Sequence, residues 1–262
     1  LSTRLQIEVV RDGNLWAQSF EYGAPKAKLK KIKPMKRSGT QVTFWADPEI
    51  FEETTTYSTK TVLNRLREMA FLTKGLEIRF RDERKEELIE ETFKYSGGII
   101  DFVKHLNANR EPIHKKVAYF QHAGDEGEVE VALQWTGQYN ESILSFANNI
   151  NTHEGGTHEE GFRKALTRAI NEFARDRSIL KEKDPNLAGE DVREGMTAVV
   201  SVKVRQPQFD GQTKTKLGNT EARSFVEVAM NRLLPEWLSR NPGEGRKIAE
   251  KCANAARARI AA

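Results

Sequence analysis

The chain has 262 residues, of which 42 are Lys or Arg and 38 are Asp or Glu, so its formal net charge is +4. Apolar residues make up 38% and charged residues 31%, a composition that excludes a disordered chain or a low-complexity fibre. No run of residues approaches the ~20 apolar positions of a membrane span. The single cysteine, Cys252, excludes an intrachain disulfide and a cysteine-based zinc site. With no signal-peptide pattern at the first residues, a cytoplasmic protein without membrane contact is expected.

The first part of the chain predicts strands followed by a helix. In chain order, the elements are a β-hairpin that turns at Asp12-Gly13, a strand over 41–46, a helix over 60–73 and a strand over 76–80. Between the hairpin and the strand over 41–46, residues 26–37 carry seven Lys or Arg and no acid. Such a run is typical of a solvated loop, and contact with a polyanion is the alternative.

The second part predicts helices packed on further strands. In chain order, these are a helix over 99–106, a strand over 116–120, a strictly alternating strand over 129–135 with a partner strand over 142–149, a helix from Thr157, a strand over 197–204 and two long helices over 219–239 and from 241 onward. The Thr157 helix is expected to open with a capping box closed by Glu160. Pro235 is expected to kink the first of the two long helices.

Three features that could carry chemistry have simpler interpretations. His153 and His158 lie near carboxylates, but their spacing is not that of a zinc helix, so no metal site is predicted. Cys252 stands in an alanine-rich helix and is expected to pack there rather than to react. Among motifs, neither a P-loop, a dinucleotide-binding pattern nor a Ser-His-Asp signature is present, so no self-contained active site is visible.

The most informative stretch is the glycine-flanked segment 208–219, which follows an apolar strand and precedes a long helix. It contains Gln212 and Lys214, an amide and an ammonium that suit a phosphate. If the segment is extended, residues two apart point the same way, and both side chains can converge on one anion. From composition alone, a polar loop with a helix N-cap is the simpler explanation of the segment.

This segment, QTKTKLGN over 212–219, resembles a hallmark of the B subunits of DNA gyrase, the ATPase subunits of a bacterial type II topoisomerase. Other stretches resemble the same family in the same order: GTQVTFW over 39–45, REMAFL over 67–72, VEVALQW over 129–135, EGGTHEEGFR over 154–163, DVREG over 191–195 and AARAR over 255–259. The resemblance implies an α+β fold in two domains. Residues 1–95 would be the later part of a GHKL ATPase domain, and residues 96–262 a transducer domain like the second domain of ribosomal protein S5, with long C-terminal helices.

The resemblance also implies roles for individual residues. Gln212 and Lys214 would reach the γ-phosphate of ATP, and Lys214 would stabilise charge during hydrolysis. Thr40 would help to hold the adenine, Val42 would line its pocket, and Arg11 would lie at the rim that aminocoumarin inhibitors contact. Without the resemblance, strand packing explains Thr40 and Val42, and a surface charge explains Arg11.

The cofactor would be ATP with Mg²⁺. In the family, the side chain that binds Mg²⁺, the general base and the lid belong to segments upstream of the position of Leu1. The chain alone is therefore expected to hydrolyse no ATP. Expected partners are DNA, the gyrase A subunit in an A2B2 assembly, and a second B subunit that dimerises with ATP. Arg163, Arg168 and Arg175 on the Thr157 helix would face a DNA cavity between paired transducers. The alternatives are the ATPase subunit of topoisomerase IV and a non-enzymatic nucleic-acid-binding module.

Overall fold

The computed structural model describes residues 1–84 and 86–261. By their contacts these residues form two compact units, Leu1–Val62 and Leu63–Ala262. The predicted domain boundary at residues 95/96 lies within the second unit and stays a prediction. No helix in the described part of the chain is both long enough and apolar enough to cross a membrane.

The first unit is built on an antiparallel sheet. β1 (Ser2–Arg11) and β2 (Asn14–Glu21) form the predicted hairpin, and Asp12 and Gly13 turn the chain with positive φ angles of 52° and 73°. β5 (Gly39–Ala46) pairs with the other edge of β1. The hairpin and the strand after the basic run are therefore confirmed.

The prediction of a solvated loop over 26–37 is wrong in part. β3 (Ala24–Pro25) and β4 (Lys30–Pro34) both pair with the edge of β2 that β1 leaves free. β4 is exposed along its whole length, so backbone pairing rather than core packing holds it in place. A pattern of apolar residues cannot reveal a strand of this kind, and Pro34 at its end is compatible with an edge position.

The second unit centres on a mixed five-stranded sheet of β8 (Ala118–Gly124), β9 (Gly127–Trp135), β10 (Ser142–Ala147), β11 (Ile150–Asn151) and β12 (Met196–Val204). Its strand order is β11-β10-β12-β9-β8. The prediction that 142–149 partners the 129–135 strand is wrong, because β12 lies between β9 and β10 and pairs with β10 in parallel. A separate two-stranded sheet joins β6 (Glu77–Asp82) and β7 (Ile89–Lys94).

Helices cover both faces of the five-stranded sheet. The larger core lies between one face and α3 (Thr157–Asp176), α5 (Thr220–Arg240) and α6 (Pro242–Ala261), with the short α4 (Gly189–Arg193) beside them. On the other face, α2 (Ile99–Leu106) packs with the end of α1 (Thr59–Leu72) around Phe71 and Phe102. Burial on both faces explains why β12 is almost continuously apolar.

The predicted capping box is wrong, although α3 does begin at Thr157. Its N-cap is Gly156, and no side chain caps the helix. The Thr157 hydroxyl instead donates to the backbone carbonyl of Asn219 at 2.5 Å, and Glu160 forms an ion pair with Arg223. Both side chains therefore bind the neighbouring part of the fold rather than each other.

Candidate functional site

The segment that contains Gln212 and Lys214 is a short hairpin. Phe209 and Leu217 pair as an antiparallel bridge. The Asp210 N–H donates to the Lys216 carbonyl at 2.9 Å, and the Gly218 N–H donates to the Gln208 carbonyl at 2.8 Å. Leu217 is completely buried in the larger core, so the stem of the hairpin is fixed while its tip is exposed.

The tip is a turn rather than the extended segment on which convergence of the two side chains was expected. Gly211 and Lys214 both have positive φ angles, 74° and 57°, and the Lys214 N–H points back to the Gly211 carbonyl at 3.4 Å. The left-handed conformation at Lys214 removes the two-residue alternation. Gln212 and Lys214 remain exposed at the same tip, and the Lys214 ammonium lies 5.9 Å from the centre of the Phe209 ring.

The hairpin is anchored on the segment 154–157, which precedes α3. The Leu217 N–H donates to the Gly155 carbonyl at 3.2 Å, and the Thr157 N–H donates to the Leu217 carbonyl at 3.0 Å. The Glu154 N–H donates to the Thr215 carbonyl at 3.0 Å, and the Thr215 hydroxyl donates to the Glu154 carboxylate at 2.5 Å. These bonds hold the C-terminal half of the stem against the start of α3.

Asn219 closes the base of the hairpin from within the structure. It is 2% exposed. Its Oδ1 accepts from the Gln208 N–H at 2.7 Å, and its Nδ2 donates to the Gln206 carbonyl at 3.0 Å and to Glu221 Oε1 at 2.7 Å. One buried amide therefore satisfies both sides of the loop entrance and the first turn of α5.

His158 lies beside this anchor, in the first turn of α3. It is completely buried, and burial lowers its pKa to about 4. Its Nε2 lies 3.3 Å from the Thr152 hydroxyl, while its Nδ1 has no hydrogen-bond partner among the described residues. His158 is therefore a neutral packing residue. No group of three or more His, Cys, Asp or Glu side chains suited to a metal occurs among residues 1–84 and 86–261.

Cys252 also packs rather than reacts. It is completely buried, and burial raises the pKa of its thiol to about 12. Its Sγ lies 3.6 Å from the Val192 carbonyl oxygen. Since the thiolate is the reactive form, a thiol of this kind is inert at neutral pH, and the predicted packing role is confirmed.

Arg11, Thr40 and Val42 lie on one face of the first unit's sheet. Ile7 is opposite Val42 and Val9 is opposite Thr40 in the pairing of β1 with β5, and paired residues share a face. Arg11 follows Val9 by two positions, so it lies on the same face. The rest of this face is mainly apolar: it carries Leu5, Trp16, Phe20 and Phe44. Within residues 1–62, no apolar side chain is buried, so the face is accessible to a ligand.

The three arginines of α3 make different contacts. Arg163 binds Glu159 and Glu141 at 2.8 and 2.9 Å. Arg168 makes its one ion pair among the described residues with the exposed Glu172, one turn further along, at 2.8 Å. Arg175 donates to the carbonyls of Lys181 and Asp184 and to the side chain of Asn186. All three line one groove along α3, and each has partners within the second unit.

Comparison with known proteins identifies the family. The family model for DNA gyrase B matches residues 98–262. The chain belongs to the DNA gyrase B family. The DNA gyrase B subunit of Mycobacterium tuberculosis (strain ATCC 25618 / H37Rv) is 49% identical over 292 aligned residues, which cover 100% of this chain and 43% of that protein. The Streptomyces coelicolor protein is also 49% identical, over 282 residues and 41% of its length. The chain thus spans less than half of these gyrase relatives.

Solved structures agree with the gyrase B assignment. The 43K ATPase domain of Thermus thermophilus gyrase B, solved in complex with an aminocoumarin, has a TM-score of 0.85 and 38% identity, covering 100% of this chain and 70% of its own. The topoisomerase IV ATP-binding domain of Francisella tularensis, solved with a small-molecule inhibitor, has a TM-score of 0.83 and 30% identity, covering 99% and 70%. The α+β class expected from the resemblance is confirmed.

The sequence indicated the loop tip and the sheet face but not the residues that fix the loop. Glu154, Thr215 and Asn219 hold the gyrase B loop through hydrogen bonds between segments far apart in the chain. The sequence carries one local sign of this anchoring, the Gly155-Gly156 pair. Gly156 has a φ of 137° and pairs with Leu217 as a parallel bridge, so the glycine allows its backbone to lie close to that of Leu217.

Proposed function

We propose that this chain is the part of a bacterial DNA gyrase B subunit that detects the γ-phosphate of ATP and transmits its presence to the DNA-handling parts of the enzyme. The observation that carries the proposal is the hairpin 208–218, whose tip presents Gln212 and Lys214 and whose stem is bound to the core. A fixed stem lets a contact at the tip act on the whole second unit. A freely moving loop would not transmit such a contact to the rest of the unit.

The donors fit this ligand chemically. The Lys214 ammonium is a compact positive charge with three donors, which suits the oxygens of a terminal phosphate as charge spreads over them. Gln212 adds a neutral donor from the same turn. Because the stem is preorganised, Lys214 would stabilise transition-state charge with little rearrangement. Lys214 is thus the proposed catalytic residue of this chain, with Gln212 as its binding partner.

The first unit's sheet face would receive the base of the nucleotide. Thr40 would hold the adenine and Val42 would contact its ring, on a face that is otherwise apolar and accessible. Arg11, on the same face, would contact an aminocoumarin; the Thermus thermophilus neighbour was solved with such a compound. Mg²⁺ would accompany ATP, and the described residues contain no group of three or more His, Cys, Asp or Glu side chains suited to bind it.

In this proposal the complete protein couples ATP hydrolysis to DNA strand passage and negative supercoiling. It would act with the gyrase A subunit in an A2B2 assembly and dimerise with ATP. The 262-residue chain alone would hydrolyse no ATP, because it brings only part of the catalytic groups. A match to the DNA gyrase B family model and 49% identity to gyrase B subunits favour gyrase. A topoisomerase IV ATPase is the alternative that the Francisella tularensis neighbour supports.

Nucleotide-dependent labelling tests the proposal directly. In the complete protein, an amine-reactive reagent should modify Lys214 readily in the presence of ADP and poorly with a non-hydrolysable ATP analogue. Lys216, in the stem of the same hairpin, serves as the internal control and should react equally in both states. Equal modification of Lys214 with the two nucleotides would contradict a γ-phosphate contact.

A further inference from the structure

The basic segment, defined as residues 26–37, is the most concentrated charge in the first unit. It carries seven Lys or Arg and no acid, and every one of its residues is exposed. Lys26 pairs with Glu21 at 2.5 Å. In the described part of the chain, none of the other six cations forms an ion pair. The segment therefore presents a positive charge that the protein itself leaves uncompensated.

The α3 arginines, although they also recur along one element, differ in this respect. Arg163 and Arg168 are bound to carboxylates, and Arg175 is bound to carbonyls and an amide. A polyanion that approaches α3 must compete with these partners. A polyanion that approaches the basic segment displaces only counterions, and release of counterions is what drives binding to DNA.

Backbone pairing holds three of these cations in place on an extended strand. Lys30, Lys31 and Lys33 lie on β4, an edge strand that pairs with β2. The pairing of β4 with β2 shifts by one residue at Ile32, which is a β-bulge. Because paired residues share a face, Lys30 and Lys33, opposite Ala17 and Leu15, lie on one side of β4, and Lys31, opposite Trp16, lies on the other. A row of cations held in extended form can follow a row of phosphates, which each strand of double-stranded DNA presents at about one charge per 3.4 Å of axis.

The placement of the lysines argues against a lipid surface. The exposed apolar residues of the segment are Leu29, Ile32 and Met35. Ile32 is the bulge residue of β4 and lysines lie on both sides of the strand, so no continuous apolar side is available to enter a bilayer. Interfacial membrane binding requires such a face in addition to basic charge.

We propose that the basic segment is a binding surface for the phosphate backbone of double-stranded DNA, with Lys30, Lys31 and Lys33 as its core. The proposal rests on the proposed function only for the choice of DNA as the polyanion. It concerns binding without nucleotide, so its failure would leave the role of Lys214 untouched, and a failure of the Lys214 role would leave this surface untouched.

The test measures binding of a fluorescent 30-base-pair duplex to the 262-residue chain over a range of salt concentrations. Lys30→Gln, Lys31→Gln and Lys33→Gln are combined in one variant. The control combines Lys74→Gln, Lys115→Gln and Lys183→Gln, three exposed lysines of the second unit that change the net charge equally. The β4 variant should bind about tenfold or more weakly, and its salt slope should fall by about 2–3, since each lost phosphate contact removes ~0.9.

Equal weakening in both variants would show that net charge alone attracts DNA and would overturn the proposal. Binding of the parent chain to anionic phospholipid vesicles, without binding to the duplex, would overturn it as well. A second readout does not depend on folding of a variant. In the parent chain, duplex DNA should protect Lys30, Lys31 and Lys33 from amine acetylation while Lys74 and Lys183 stay reactive; the reverse pattern contradicts the surface.

Discussion

The backbone of Gly156 lies directly against that of Leu217. The two residues form a parallel bridge, and a Cβ built on Gly156 would lie 2.4 Å from the Leu217 carbonyl oxygen. Gly156 also has a φ of 137°, a conformation that residues with a side chain rarely adopt. The start of α3 and the stem of the Gln212–Lys214 hairpin are therefore in contact through a position that only glycine can occupy.

Gly156→Ala should consequently destabilise the second unit and loosen the hairpin. The added methyl group meets backbone that cannot rotate away, and it adds strain at a positive φ, so a loss of about 2–4 kcal/mol in the free energy of unfolding is expected. Urea unfolding measures the loss, and hydrogen exchange at 208–218 measures the loosening.

Gly211→Ala is the matched control for Gly156→Ala. Gly211 also has a positive φ, 74°, but nothing lies within 4 Å of the position that its Cβ would take. Its cost should be only the conformational one of about 1–2 kcal/mol. If the two variants are equally stable, close approach to Leu217 does not constrain Gly156.

Stability should decrease at acidic pH because of His158. Its ordinary pKa of 6.5 is lowered to about 4 by burial, so between these values the unfolded chain binds a proton that the folded chain excludes. The free energy of unfolding should therefore decrease as the pH falls from about 6.5 toward 4, and His158 should contribute about 2 kcal/mol of the decrease by pH 5.

His158→Gln should reduce this pH dependence, since glutamine does not titrate. His153→Gln, at an exposed position of the same segment, is the control and should keep the dependence of the parent chain. The comparison uses urea unfolding at pH 7.5 and pH 5. An undiminished difference between the two pH values in His158→Gln would show that other groups cause the acid sensitivity.

The regular elements were predictable because their patterns are local. The alternation of Val129, Val131, Leu133 and Trp135 predicted β9, and apolar residues three or four apart predicted α1 and α3. The partner of β10 was not predictable, because β12 inserts between it and β9 from about fifty residues later in the chain. Burial of Gln134 was hidden for the same reason: its partners Asn107 and His114 are distant in sequence.

The candidate site was predictable in its chemistry but not in its shape. Gln212 and Lys214 stood out by residue type and by resemblance. The turn at the tip depends on a positive φ at Lys214, and lysine is not a residue type from which a positive φ is predicted. The anchoring of the loop by Glu154 and Asn219 likewise rests on tertiary hydrogen bonds. Sequence reasoning finds such residues only when their partners are known.

Alanine variants of Arg168 and Arg175 should distinguish a DNA contact of α3 from a structural role. Arg175→Ala removes donors to two backbone carbonyls and should cost about 1–2 kcal/mol in stability. Arg168→Ala removes only an exposed pair with Glu172 and should leave stability near that of the parent. If the groove along α3 contacts DNA, Arg168→Ala should lower DNA-stimulated ATP turnover in the complete enzyme and spare basal turnover. Equal loss of both would contradict the contact.

The claim that Lys214 contacts the γ-phosphate is decided by ATPase kinetics of Lys214→Ala in the complete protein, with Lys216→Ala as the control from the same hairpin. Loss of a preorganised donor of this kind costs about 3–4 kcal/mol in the transition state, so kcat should fall by roughly 10²–10³. Affinity for ADP should stay near that of the parent, while affinity for a non-hydrolysable ATP analogue falls modestly. A kcat within threefold of the parent, or an equal loss of affinity for both nucleotides, would contradict the claim.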